Sequence, residues 1–224
     1  MFEGISAILL AAGESRRMGQ PKLLLPWGET NVLGQVVATF AAGLSTDSIT
    51  ESRMKTDFEI LVVTGGAREL VEAEVARLAE QYPVRAVYNP EYAHGGMLSS
   101  IQAGLRDLTQ PHPTSVGEGL SEVQSRAALI GLGDQPQARE ATVRNICTAF
   151  VRTGSALVIP SFQERRGHPW LVTRLLWPEI LALPTSTTPR QFLNAHMGQV
   201  EYVPAGGSIL LDLDTPEDYN RQRP

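Results

Sequence analysis

Residues 5–22 read Ile5-Ser6-Ala7-Ile8-Leu9-Leu10-Ala11-Ala12-Gly13-Glu14-Ser15-Arg16-Arg17-Met18-Gly19-Gln20-Pro21-Lys22: a short, mostly apolar run that passes directly into a small-residue, cationic loop. A run of this length ending in a glycine-bearing loop reads as a strand buried on both faces, the pattern of a parallel sheet. In open α/β sheets ligands bind in the crevice beyond the carboxyl ends of the strands, and the loop begins there. Ala11, Ala12 and Gly13 let a base or phosphate approach the backbone closely. Successive N–H groups in such a turn form an anion-binding nest, and Arg16, Arg17 and Lys22 add positive charge. A solvated basic turn is the competing reading. The strand end, the small residues and the clustered cations together favour a phosphate site. Neither G-x-x-x-x-G-K-[S/T] nor G-x-G-x-x-G follows the strand, which argues against a P-loop NTPase and a standard dinucleotide-dependent dehydrogenase.

The same alternation runs outward from this strand. Phe58 to Thr64, Val84 to Tyr88, Ala127 to Leu132 and Ala156 to Ile159 read as further buried strands. Helical spacing follows Asn31 and spans Arg68 to Gln81, Met97 to Leu108 and Glu140 to Arg152. Alternating strands and helices predict an α/β fold with a mostly parallel sheet and helices on both faces. The last third is less regular, with strands expected at Leu171-Val172, Val200 to Val203 and Ile209 to Leu213, some of them antiparallel. Ser45 to Asp57 and Gln110 to Ser125 are polar or rich in Pro, Gly and Ser, and are expected to be mobile surface loops. No repeat or linker divides the chain, so residues 1–224 are expected to form a single domain.

Composition narrows the function. The chain has 224 residues, a net charge of −5 and 42% hydrophobic residues, which fits an ordinary globular protein and disfavours general nucleic-acid binding. The one cysteine, Cys147, excludes an internal disulfide and reads as a small buried hydrophobe on a helix. No run reaches the roughly 18 apolar residues of a membrane span, and the N-terminal apolar run lacks a basic flank. A cytoplasmic protein without a membrane partner is expected.

Two acidic strings carry further chemistry. In Leu132-Gly133-Asp134-Gln135-Pro136, Asp134 stands at a strand end and projects into the same crevice as the first loop. Mg²⁺ takes one or two carboxylates together with substrate phosphates and waters; a helix cap is the competing reading. In Leu211-Asp212-Leu213-Asp214-Thr215-Pro216-Glu217-Asp218, the alternation predicts a strand with Asp212 and Asp214 on one face, followed by a helix start at Thr215-Pro216. Between them, Gly95-Gly96-Met97-Leu98-Ser99-Ser100 places glycines and serines at a helix N-terminus, suited to a polar contact or to ordinary capping. Thr64-Gly65 closes the second strand and faces the same end of the sheet.

Leu10 to Lys22, with its L-A-A-G-x-S-x-R-M-G-x-x-K pattern, resembles the signature loop of nucleotidyltransferases with a glycosyltransferase-A-like Rossmann fold, a three-layer α/β/α arrangement. Within these it is similar to the MobA-like NTP transferases. The resemblance covers nearly the whole chain. It implies that Gly13, Arg17 and Lys22, with Leu10, Ala11, Ala12, Ser15 and Arg16 around them, wrap the NTP phosphates. It also implies that Asp134 and Asp214 bind Mg²⁺, with Asp212 less favoured. Gly96, Met97 and Ser100, joined by Thr64 and Gly65, would border the nucleotide, and Arg17, Lys22 and Asp134 would carry catalysis. Arg165-Arg166-Gly167-His168-Pro169 resembles the family's R-G-x-P acceptor segment. Arg190 is kept where relatives have G-A-R, although the Gly-Ala before it is lost. Leu-Ala-Ala-Gly, G-M-x-S-S and G-D-Q-P resemble the cytidylyltransferase branch. They imply CMP transfer from CTP to a molybdopterin-type cofactor with loss of pyrophosphate, and a molybdoenzyme or its chaperone as receiving partner. GTP as donor, another phosphorylated acceptor such as a sugar phosphate or phospholactate, and a non-catalytic cofactor carrier stay open at this point.

Overall fold

The structure is a computed structural model that describes residues 2–45, 58–110 and 125–224. Its first strand, β1 (Ile5–Ala11), is the pivot. After it come a short antiparallel hairpin, β2 (Pro26–Trp27) and β3 (Thr30–Asn31), and α1 (Val32–Leu44). Asn31 starts α1 by accepting a hydrogen bond from the Gly34 N–H at 2.8 Å, which satisfies one of the helix's unpaired first-turn donors. Then follow β4 (Ile60–Thr64), α2 (Arg68–Leu78), β5 (Val84–Tyr88), α3 (Gly96–Thr109), β6 (Ala127–Leu132) and α4 (Glu140–Thr153). The chain continues through β7 (Leu157–Phe162), β8 (Arg165–Arg166), β9 (Trp170–Thr173), α5 (Trp177–Ala182), α6 (Pro189–Ala195), β10 (Val200–Pro204) and α7 (Pro216–Gln222).

The main sheet runs β10-β7-β9-β6-β1-β4-β5, with β8 paired to β7. β1 lies parallel to both β4 and β6, and β5 is parallel to β4. β9 is antiparallel to both of its neighbours, β6 and β7, whereas β10 is parallel to β7. Side chains alternate across the strands as the pleat demands. Ala7 and Leu9 join a core layer with α1, α2 and α4, while Ile8 joins the opposite layer with α3, α5 and α6. The result is a three-layer α/β/α fold with a mostly parallel sheet, as the strand and helix alternation implies.

The chain after β1 turns toward β4, and β6 is added on β1's other side. The crevice between the carboxyl ends of β1 and β6 is therefore the point where the strand order reverses. That is where doubly wound sheets place ligands.

Several boundaries move. The second strand begins at Ile60, α2 ends at Leu78, and β7 runs on to Phe162. The expected strand over 209–213 does not form. Residues 207–210 make a 3-10 turn, and 211–214 have no regular structure. Ile209 and Leu213 are buried while Leu211 is 41% exposed. The burial period there is four residues, and a strand would have put all three on one face. The expected surface loops lie almost wholly outside the described residues. Ser125, at the end of the second, is buried, and its hydroxyl lies 2.7 Å from that of Ser6. No helix among the described residues is long and apolar enough to cross a membrane.

Cys147 is fully buried in α4 and packs in the layer with α1. Burial pushes its thiol up to about 12 from an ordinary 9.0. The folded protein should leave a thiol reagent at pH 8 unreacted, and the urea-unfolded chain should react once. Between about pH 9 and 12 the unfolded chain gives up a proton that the folded chain keeps. Stability should therefore fall with rising pH in that window, by up to about 1.4 kcal/mol per pH unit.

Candidate active site

Each loop at the carboxyl end of the sheet is held by its neighbour. The Gly133 N–H donates to Leu10 O at 2.9 Å and the Gly66 N–H to Ala12 O at 3.1 Å, tying the ends of β6 and β4 to that of β1. A Cβ on Gly65 would stand 2.6 Å from Ala12 O and 2.7 Å from the Tyr92 Cβ. Only glycine permits this approach, so the 89–95 segment closes onto the first loop. Asn89, almost fully buried, donates to the hydroxyls of Ser99 and Ser100 at 2.9 and 3.0 Å and accepts from the Glu91 N–H. Asn89 and Tyr92 escape a reading by motif, because a single Asn or Tyr in a loop carries no spacing signal.

The first loop folds back on itself. Ser15 and Gly19 take positive φ values of 51° and 67° around a 3-10 turn at Arg16–Met18. The Lys22 N–H donates to Ser15 Oγ at 3.1 Å, while Met18 and Leu23 anchor the loop in the core. Gly13 is exposed, with nothing within 4 Å of where a Cβ would sit. A cleft of about 370 Å³ opens above the loop, lined by residues 13–18, Lys22, Ala93 and Asp214.

At the floor of the cleft the Lys22 ammonium pairs with Asp134 and, at 3.3 Å, with Asp214. Arg17 reaches the other Asp214 oxygen at 3.0 Å, and Arg16 pairs with Glu14. The Lys22 and Asp134 side chains are only 15% and 18% exposed, whereas those of Arg16 and Arg17 are 80% and 69% exposed. The exposed pairs contribute at most about 1 kcal/mol each; the shielded one carries the electrostatics of the site. Asp212 lies beside the group and donates nothing: its Oδ1 accepts from Gln135 Nε2 at 2.6 Å. Asp212 is exposed overall, yet the protein packed around its carboxyl raises it above the ordinary range, and the charges of Asp134 and Asp214 add to this, against the pull of Gln135 and Lys22. Asp134 and Asp214 therefore converge on the Lys22 ammonium although they share no strand, while Asp212 is turned to Gln135.

Gly167 and His168 pack on the C-terminal string. The His168 N–H donates to Ile209 O at 3.3 Å, and a Cβ on Gly167 would stand 2.3 Å from that same oxygen. The His168 Nδ1 lies 3.4 Å from Ile130 O. Burial holds its imidazole below the usual range, opposed by the Ile130 carbonyl and the Asp134 charge. The imidazole is partly buried, and this direction favours its neutral form. Pro169 is buried beneath it. The Arg166 guanidinium bonds Asn194 Oδ1 at 2.5 Å. Arg190 is exposed one turn earlier on α6, on the same helix face as Asn194.

Not every sequence candidate opens onto the cleft. Thr64 is fully buried and gives its hydroxyl to Glu72 at 3.0 Å, so it supports the sheet end. Ser100 is buried against Asn89. Gly96 has φ 58° with open space around it, and Met97 is 42% exposed. Ala93, which lines the cleft, brings their segment to it.

Among the described residues no group of three or more His, Cys, Asp or Glu makes a complete metal cage. Two carboxylates that share one cation do match a hard divalent ion completing its shell with phosphates and water.

A strand-reversal crevice, a glycine loop with clustered cations and a pair of converging aspartates define a nucleotidyltransferase. The chain belongs to the MobA-like NTP transferase family, whose domain model matches residues 7–200. It is 28% identical over 222 residues to the molybdenum cofactor cytidylyltransferase of Escherichia coli K12, covering 97% of this chain and 95% of that protein. In structure it is similar to Rv0371c of Mycobacterium tuberculosis H37Rv, with TM-score 0.70, 26% identity and coverage of 97% and 96%. A manganese complex of Rv0371c gives TM-score 0.67 at 25% identity, over 98% and 97% of the chains.

The packing at Gly65 sets a stability contrast. Gly65→Ala should lose about 1–3 kcal/mol in urea unfolding, because Ala12 backbone must move. Gly13→Ala should stay within about 0.5 kcal/mol of the parent. Equal stabilities would contradict the close packing of the two loops.

Proposed function

We propose that the chain acts as one unit that transfers CMP from CTP to a molybdopterin-type cofactor, with Mg²⁺ as the metal and pyrophosphate as the second product. The observation that carries this reading is the shielded Lys22 ammonium shared by Asp134 and Asp214 at the floor of a cationic cleft. The cytidylyltransferase relative and the Leu-Ala-Ala-Gly loop support cytosine over guanine.

A terminal phosphate oxygen of the acceptor attacks the α-phosphorus in line. The new P–O bond forms as the bond to the bridging oxygen of the β-phosphate breaks, and pyrophosphate takes the electron pair. The attacking oxygen is already anionic, so no general base is needed; the protein positions and neutralises. Gly13 lets the triphosphate lie against the backbone. Arg17 and Lys22 stabilise the charge that collects on the leaving pyrophosphate, and Lys22, with three N–H donors, can serve a carboxylate and a phosphate together. Asp134 and Asp214 would hold Mg²⁺, which when bound neutralises the phosphates and the charge of the transition state. Gly96 and Met97 border the base, with Ser100 behind them. Arg166, Arg190 and His168 receive the acceptor. A molybdoenzyme or its chaperone is the natural destination of the product.

Purified protein with Mg²⁺ should release pyrophosphate only when CTP and molybdopterin-type cofactor are both present. Asp134→Ala should lower the rate by about 10²–10³, the scale of one lost transition-state contact. Release with GTP in place of CTP would overturn the cytosine assignment. Release with neither nucleotide would overturn the transfer itself.

A further inference from the structure

The residue after Asp134 has a task of its own. Asp214 sits on backbone without regular structure, so no ladder of main-chain hydrogen bonds sets its distance from Asp134. Lys22 and Arg17 grip the Asp214 carboxylate itself, and three further contacts hold the string around it. Leu213 is fully buried. The Asp212 carbonyl accepts from Gln222 Nε2 at 3.3 Å, and Gln222 is itself bonded to Gln137. The third contact is the buried Gln135 amide on Asp212 Oδ1 at 2.6 Å. Of the three, only this one runs from the immediate neighbour of one metal-site carboxylate to within two residues of the other. A donor without charge also suits the place: a further cation would compete for Asp134 and Asp214, and a carboxylate would repel them.

We propose that Gln135 is a positioning residue that acts through Asp212 to hold Asp214 at the distance from Asp134 required for a shared divalent cation, with Asp212 as the strut and not a ligand. This rests on the reading of Asp134 and Asp214 as the metal pair. Loss of a partner bonded directly to a ligand typically costs 10–100-fold in metal affinity; Gln135 acts one residue further out, so the lower end, about tenfold, is expected.

The test is Mn²⁺ binding to the full chain, followed by electron paramagnetic resonance without nucleotide or acceptor, together with the melting temperature of each variant. Gln135→Ala, and the volume-matched Gln135→Met in case alanine unfolds the chain, should weaken Mn²⁺ binding about tenfold at near-parental melting temperature. Asp212→Ala should match them, and the double variant with Gln135→Ala should be no worse than either single change. Asp212→Asn keeps an oxygen that accepts from Gln135 and should bind within about threefold of the parent. Unchanged binding in both Gln135 variants would overturn the proposal. So would an Asp212→Asn loss as large as that of Asp214→Asn, which would make Asp212 a ligand. If the parent binds no Mn²⁺, or if Asp134→Asn and Asp214→Asn bind as it does, the metal pair itself is wrong and the positioning role falls with it.

Discussion

One ammonium group ties the molecule's working end together. Lys22 leaves the first loop, Asp134 leaves the end of β6, and Asp214 belongs to the last stretch before α7, so the three lie 112 and 192 residues apart in the chain. The Lys22–Asp134 contact is largely shielded from water, which strengthens it and raises the cost of losing either partner, whereas the Asp214 side chain is 43% exposed and its pair is weaker. The exposed pairs around them, Arg17 with Asp214 and Arg16 with Glu14, add geometry more than stability. Lys22 and Arg17 together balance Asp134 and Asp214, so each carboxylate already faces a cation.

The frame beneath explains why these groups can meet. β1 lies between two parallel neighbours, and the strand order reverses between β1 and β6. Loops from both strands must open into one crevice. Small residues at the strand end keep it narrow: Ala12 and Gly65 touch, and Gly133 hydrogen-bonds to the Leu10 carbonyl. The C-terminal string is fastened from elsewhere. The Tyr219 hydroxyl of α7 donates to Pro26 O at 2.6 Å and its ring lies 6.3 Å from Trp27, which docks the helix on the β2–β3 hairpin just after the first loop. The first loop, the aspartate pair and α7 thus rest on one another, and a change in one is felt in the others.

How much of this is visible in the chain itself differs by element. The buried strands and their helices are legible because burial on both faces forces long apolar runs, and Asn31 marks the start of α1 by its capping chemistry. The cationic loop and Asp134 are legible because they follow strand ends, where open sheets place their ligands. The Leu-Asp-Leu-Asp string misleads: its alternation looks like a strand, but Leu211 faces water and the burial period is four. Thr64 and Ser100 look like pocket residues, yet their hydroxyls meet Glu72 and Asn89. Gln135, Asn89 and Tyr92 act through partners far away or in other loops, and local spacing does not encode such contacts. The same holds for His168, whose surroundings depend on how the C-terminal string folds over it.

The most direct test of the Lys22-centred cleft is calorimetric titration of CTP into the protein in Mg²⁺, comparing the parent with Lys22→Met and with Arg152→Met. Arg152 pairs with Glu201 at 2.9 Å, away from the cleft, so its loss removes the same charge without touching the site. A charge-assisted hydrogen bond is worth about 1.5–3 kcal/mol. Lys22→Met should therefore weaken CTP binding about tenfold or more, while Arg152→Met leaves it within about twofold. Equal CTP affinity in the parent and Lys22→Met would contradict the account, because the nucleotide would then be bound elsewhere.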